Sequence, residues 1–465
     1  MAQVIDETLN SPSGLDFQHR MVSPPVRAAM KVKTADRPAD TFIPVILSPT
    51  ESTDHPEAGV QPSKEALLKL LEPYAARPSQ FYVFAKLPSE KIEELASQHG
   101  DLIDHIWKDQ KCHAHLLDSA KTLKATACWK SFEAFGDGIT WAVMDTGVDA
   151  THPHFSQYGN LSNNLSKDFS NSNLPGAEDP LKDRNGHGTH VAGIIAGAFK
   201  SDDGKPPQAL LKSEAGPHLE TLRGFPSGIA PQCRLFSVKV LDNGGEGDTS
   251  SAILALEYLR ELNEKSPEIK VDGVNMSLGY PFNPTWYGCG HSPLCEEVNR
   301  TVQSGIVVVI SCGNAGYGQT TLDTQQTAQV YIGLSIADPA NAHEAIAVGS
   351  VHKTAPYTYG VSYFSSKGPT GDGRLKPDLV APGEKVISCA TDPGGKYLYK
   401  EDSGTSMAAP HVSGAIAAFL SVRAEFRGDP GKIKNIFKQT ATDLERDKFF
   451  QGAGLIDLYR ALTSV

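Results

Sequence analysis

Two hydrophobic rhythms divide this chain. Between residues 41 and 107, short apolar stretches of two different periods alternate. Residues 41–47, 81–87 and 103–107 are rich in strand formers, while 64–71 and 91–97 space their apolar positions as helices do, the second entered through Pro88-Ser89-Glu90. This β-α-β-α-β alternation over about 70 residues predicts a small α+β sandwich with helices on one face of a sheet. Residues 1–40 hold Pro, Ser and charge without apolar periodicity and read as a flexible arm.

From residue 138 the rhythm changes. Residues 139–144, 235–241, 271–277 and 305–311 are short, continuous apolar runs bounded by turn residues. Continuous hydrophobicity predicts strands buried on both faces, as in a parallel sheet. Helical patterns lie between and after them, at 188–198, 250–263, 294–304, 405–421 and 431–440. The expected architecture is α/β, with functional loops at the carboxyl ends of the strands. Residues 200–224, bearing Lys, Pro and Gly, read as an inserted surface loop, and no internal repeat stands out. The chain therefore divides into an arm (1–40), a small domain (41–112) and a large one (113–465).

Composition narrows the function. A net charge of −11 offers no basic face for nucleic acid or an anionic membrane. No apolar run has membrane-spanning length, and the first forty residues lack the apolar core of a secretory signal. A cytoplasmic location is expected, or a secreted one if a signal has been trimmed away. The seven cysteines (112, 128, 233, 289, 295, 312 and 389) are odd in number and scattered, so no disulfide framework is evident.

Three strings carry chemistry: Asp145-Thr-Gly147, His187-Gly-Thr-His190 and Gly404-Thr-Ser-Met-Ala408. A serine hydroxyl is a poor nucleophile until a base takes its proton, and that base needs a buried acid to fix its tautomer. Asp145 ends a buried strand, His187 opens a helix of small residues, and Ser406 opens another, where its N–H is free for an oxyanion. Each has an ordinary alternative: a turn Asp, a capping His, a capping Ser. His190 on the same helix reads as structural. Asn314, where the run 305–311 meets Gly313, can donate its amide to an oxyanion or simply form a turn. Acid, base and nucleophile in the order Asp, His, Ser point to acyl transfer.

Here the chain resembles the subtilisin-like serine proteases, the subtilases. The resemblance runs through Asp145-Thr-Gly-Val-Asp149 with His152-Pro153, His187-Gly-Thr-His-Val-Ala-Gly193, Asn275-Met-Ser-Leu-Gly279, Gly313-Asn314, Lys376-Pro-Asp-Leu-Val-Ala-Pro-Gly383 and Gly404-Thr-Ser-Met-Ala408 with Pro410-His-Val412. It spans about residues 120–463. It implies a three-layer α/β domain around a mainly parallel sheet, and a serine endopeptidase acting on peptides or proteins. Asp145, His187 and Ser406 would be the triad, and Asn314 the oxyanion donor. Ser277, Leu278 and Gly279 on one side, and Ser311, Cys312 and Gly313 on the other, would edge the primary specificity pocket. Those small edges, with Ala315 where subtilisin carries an acid, imply an apolar P1 side chain. The 41–112 unit resembles the ferredoxin-like inhibitor prodomains of the family, removed by self-cleavage among 107–115. A permanent folding domain is the alternative.

Departures from the family pattern matter too. The chemistry needs no cofactor, but many subtilases hold calcium through an Asp just after the His-Pro of the first motif. Here His154 stands there, a poor calcium ligand, so that tight site looks lost while other structural calcium sites stay open. Asp202-Asp203 reads as a solvated charge pair. Cys289 and Cys295 could form a small disulfide, join His291 in a metal site, or remain free thiols; Cys312 reads as a packing residue. A binding protein that keeps the fold without turnover is disfavoured by the intact triad. An esterase is disfavoured because no Gly-x-Ser-x-Gly elbow surrounds Ser406.

Overall fold

The computed structural model describes residues 42–50, 60–108 and 118–465, apart from 163, 171–177, 202, 214, 322–326 and 393, together with 21–23, 26 and 30. Cys112, Asp202, and all but 107, 108 and 118 of the stretch 107–118 lie outside the described residues. The chain forms two compact units, 1–113 and 114–465.

In the first unit, β1 (Ile43–Pro49), α1 (Gln61–Leu70), β2 (Arg77–Pro78), β3 (Val83–Leu87), α2 (Ser89–Gln98) and β4 (Ile103–Lys108) follow one another. The sheet order is β2-β3-β1-β4, with antiparallel neighbours. This is a β-α-β-β-α-β ferredoxin-like arrangement. The two-residue β2 is the strand that periodicity could not reveal. Alternation along β1 sends Ile43, Val45 and Leu47 into a core shared with Leu67 of α1 and with Ile92 and Leu95 of α2. The arm expected over 1–40 is not wholly free. Met21, Val22 and Val26 are buried in that core, and Val22 bridges to Ile106 of β4.

The second unit is built on a seven-stranded sheet of β5 (Thr140–Asp145), β6 (Lys167–Asp168), β9 (Arg234–Lys239), β10 (Gly273–Met276), β11 (Val307–Ser311), β14 (Ile346–His352) and β15 (Leu379–Glu384), in the order β15-β14-β11-β10-β5-β9-β6. Strands β12 (Tyr317–Thr321) and β13 (Thr327–Tyr331) form a separate antiparallel pair. Every neighbouring pair is parallel. Successive side chains take opposite faces, which splits the core in two. Trp141, Val143, Val307 and Val309 join one cluster, while Ala142, Met144, Val308 and Ile310 join the other. Helices α3 (His187–Ile195) and α6 (Thr405–Val422) pack on the first face; α4 (Thr249–Glu264) and α5 (Pro293–Gln303) pack on the second. The result is the three-layer α/β sandwich that continuous apolar runs predict.

Two features depart from the sequence reading. Strands β14 and β15 are not among the apolar runs read as strands; β15 contains Pro382 and Gly383 and lies at the sheet edge, where a missing amide hydrogen costs no ladder bond. The segment 200–224 is no simple loop. It holds an antiparallel hairpin of β7 (Gln208–Ser213) and β8 (Gly216–Thr221), and β7 pairs in parallel with β17 (Tyr399–Asp402), itself antiparallel to β16 (Val386–Cys389). Ala209 alone of β7 is fully buried, so no apolar alternation announced the strand.

Helix α6 is the apolar axis of this unit. Its composition and 18 residues would allow a membrane span, but 83% of it is buried within the fold.

Candidate active site

The carboxyl ends of β5, β10 and β11 and the amino ends of α3 and α6 meet at one cleft of about 890 Å³. His187, Ser406 and Asn314 all line it, as do Ser277, Leu278 and Gly279 on one wall and Ser311 and Gly313 on another. Asp145 lies behind His187, wholly buried. Cys312 is not in the wall. Its side chain is buried in the core, with Sγ 3.5 Å from the carbonyl of Ser366, so only its neighbours present atoms to the cleft. Burial also pushes its thiol up to about 11, which suits packing rather than nucleophilicity.

His187 Nδ1 lies 2.7 Å from Asp145 Oδ1, which also accepts the N–H of Thr146 at 2.8 Å. The pair can meet because residue 188 is glycine. A Cβ there would sit 2.1 Å from the carbonyl oxygen of Gly147 and 3.1 Å from the Asp145 Cβ. Burial alone would lower the His187 pKa. The charge and hydrogen bond of Asp145 outweigh it, so the imidazole titrates above its ordinary value of 6.5, with Lys400 opposing and Asp402 assisting. His190 turns elsewhere: its Nε2 lies 3.2 Å from the carbonyl of Lys400, and burial holds its pKa down.

Ser406 occupies the first turn of α6, after Gly404. Its hydroxyl donates to the carbonyl of Ser277 at 3.2 Å, and the hydroxyl of Ser277 donates back to the carbonyl of Ser406 at 2.8 Å. That second bond has a covalent cause. Pro410 stands four residues on and has no N–H for the carbonyl of Ser406, which is left open to Ser277. Asn275 then donates to Ser277 Oγ and accepts from Ser413, forming a buried chain beneath the nucleophile candidate.

The orientation of the Asn314 amide follows from its partners. Oδ1 accepts both the N–H and the hydroxyl of Thr405, at 2.9 and 3.1 Å. Nδ2 is therefore the end left to donate. The motifs do not single out Thr405, within Gly404-Thr-Ser-Met-Ala408, or Asp183, whose carboxylate accepts from the hydroxyls of Thr146 and Thr189. Asp183 lay four residues before His187 in a turn-forming Asp-Arg-Asn-Gly sequence, the signal that could have found it.

His154, in place of a calcium-ligating Asp, is fully buried. Its Nδ1 lies 3.0 Å from the Tyr399 hydroxyl, and its Nε2 lies 3.2 and 3.1 Å from the carbonyls of Gly193 and Ala196. Burial, aided by His152, lowers its pKa to about 3, so it is a neutral donor to those carbonyls. A donor facing the carbonyls is the reverse of what calcium requires, and the residues here do not fit that ion. Among the described residues no group of three or more His, Cys, Asp or Glu is placed to hold a metal. Cys289 and Cys295 are both free, buried thiols, and His291 pairs with Glu296 at 2.7 Å. Asp203 pairs with Lys205 at 3.3 Å on the surface.

Residues 136–454 match the model of the subtilase family. The chain is 34% identical to the major intracellular serine protease of Bacillus subtilis (strain 168) over 328 residues, covering 70% of this chain and 81% of that one. It is 32% identical to a subtilisin of Bacillus pumilus over 327 residues, covering 70% and 91%. It is also 32% identical to Subtilisin E of Bacillus subtilis (strain 168), where it spans 66% of the relative, just under two thirds.

Proposed function

Because the chain belongs to the subtilase family and is a subtilisin-like serine endopeptidase, we propose that it cleaves peptide bonds through an acyl-enzyme on Ser406. His187 takes the hydroxyl proton and later protonates the leaving amine. Asp145 holds the imidazole with Nε2 toward the cleft and stabilises its charged form. Asn314 Nδ2 and the N–H of Ser406 receive the oxyanion. The observation that carries this reading is the 2.7 Å contact of His187 Nδ1 with Asp145 Oδ1, beside a cleft lined by both Ser406 and Asn314. For the attack, the Ser406 hydroxyl rotates from the carbonyl of Ser277 toward His187.

The cleft also supports an apolar P1 preference. Leu278, Leu294, Ile336 and Ala337 line it alongside Ser311 and Gly313, and Ala315 supplies no charge. Residues 41–112 act as an inhibitory prodomain, cut within 107–118, a reading supported by the ferredoxin-like topology of that unit. Action in the cytoplasm is supported by the free thiols and by the name of the intracellular relative.

Intact-mass analysis of wild type beside Ser406→Ala tests these assignments together with a fluorophosphonate probe. Wild type should take the label on Ser406 and lose an N-terminal fragment; Ser406→Ala should do neither. Equal masses with full activity would leave the first unit a permanent domain. Labelling with no cleavage of casein would sink the peptidase assignment. Cleavage of a peptide library reads P1 directly.

A further inference from the structure

Asp183 is buried and joins three pieces of chain at the cleft. Its Oδ1 accepts the hydroxyl of Thr146 at 3.0 Å, the N–H of Asn185 at 3.1 Å and the N–H of Gly186 at 2.8 Å. Its Oδ2 accepts the N–H and the hydroxyl of Thr189, at 2.9 and 2.7 Å. The residues it holds are themselves cross-linked. Thr146 Oγ1 accepts the N–H of Gly188 at 3.0 Å, and Thr189 Oγ1 accepts the N–H of Asp149 at 2.9 Å. One carboxylate thus ties the end of β5, which carries Asp145, to the first turn of α3, which carries His187.

A carboxyl group, with two acceptor oxygens, suits this place because all five groups facing it are donors. An amide would turn an N–H against donors on one side. No hydrogen bond joins Asp183 to Asp145 or His187, so its influence passes through Thr146, Thr189 and the backbone between.

We propose that Asp183 is a positioning residue that sets the distance between Asp145 and His187 by clamping Thr146 and Thr189. This rests on the reading of Asp145 and His187 as the acid–base pair. The competing account is an ordinary helix cap, which would contribute stability and leave turnover alone. The two accounts separate in kinetics, since a misplacement of about 1 Å in a reacting geometry costs on the order of 10²-fold in rate.

The test measures kcat, KM and the pH profile of kcat/KM on one peptide substrate for Asp183→Asn, Thr189→Val and Thr189→Ser, with thermal melting alongside. Expected is a fall in kcat of about tenfold or more in Asp183→Asn and Thr189→Val, with KM within about twofold. The acid limb should move to lower pH in both, because a loosened Asp145 supports the imidazolium less. Thr189→Ser, which keeps the hydroxyl, should stay near wild type. If Asp183→Asn fails to fold, Thr189→Val decides alone; it removes the hydroxyl that bonds both Asp183 and the N–H of Asp149, and leaves the Thr189 N–H on Asp183. A kcat within about twofold of wild type in Thr189→Val and any folded Asp183→Asn overturns the proposal, as does a loss confined to KM or to melting temperature. Failure of the underlying reading is distinguishable: His187→Ala would then retain turnover.

Discussion

Ser277 and Ser406 exchange two hydrogen bonds, each hydroxyl donating to the other residue's carbonyl, at 2.8 and 3.2 Å. The bond from the Ser277 hydroxyl exists because Pro410 withholds the N–H that a regular helix would give the carbonyl of Ser406. Ser277→Ala leaves that carbonyl without its donor. It should cost about 1–3 kcal/mol of stability, the penalty for an unsatisfied buried polar group, and should lower kcat as the first turn of α6 loosens. Denaturant unfolding and steady-state kinetics read both. An unchanged unfolding midpoint would show that the bond contributes nothing.

Thr405 fixes which end of the Asn314 amide faces the cleft. Asn314→Ala should lower kcat with KM nearly unchanged. Loss of one oxyanion donor costs about 10²–10³ in turnover, a magnitude measured in subtilisin and carried over here. Thr405→Val should show a smaller kcat loss, because one of two bonds holding the amide survives, and Thr405→Ser should restore it. A defect confined to KM in Asn314→Ala would remove that residue from the oxyanion site.

Activity should fail in acid as His187 becomes protonated. The contact with Asp145 raises its pKa above 6.5, so kcat/KM should rise with pH through a limb above that value. The charged pair also adds stability that is present in full below about pH 6.5 and lost as pH rises through the folded pKa. Asp145→Asn should bring the limb down. A limb at or below the ordinary imidazole value in wild type would contradict the assignment.

Buried His154 and His411 have the opposite sign. Burial first of all lowers them to about 3 and about 4, so the unfolded chain binds their protons more readily than the fold does. Their contribution to stability is present above about pH 6.5 and drains away as pH falls toward those values. Melting temperature should therefore drop between pH 7 and 5, and less steeply in His154→Gln, whose amide can still donate to Gly193 and Ala196.

Gly188→Ala should be among the most damaging single-methyl changes in the molecule. The added carbon would meet the backbone oxygen of Gly147 at 2.1 Å, and backbone cannot swing aside as a side chain can. The cost should reach the upper end of the about 1–3 kcal/mol typical of overpacking, with turnover lost because Asp145 and His187 are forced apart. Near-normal kinetics in a soluble Gly188→Ala protein would contradict that geometry.

The linear order of residues determined what local chemistry can determine. Continuous apolar runs specified strands covered on both faces, amphipathic spacing specified the two helices of the small unit, and small residues beside Asp145, His187 and Ser406 marked places of close approach. These are properties of a residue and its near neighbours, so they are written in the string. The pairing of β7 with β17 was decided only in three dimensions, since β7 buries one residue and its partner lies almost two hundred positions away. The same holds for Asp183, whose five donors are gathered by folding, and for Thr405, whose partner Asn314 arrives from the end of β11. Polar residues have no periodicity to betray them. Their role depends on which backbone groups and hydroxyls folding leaves around them, and that is a property of the tertiary structure alone.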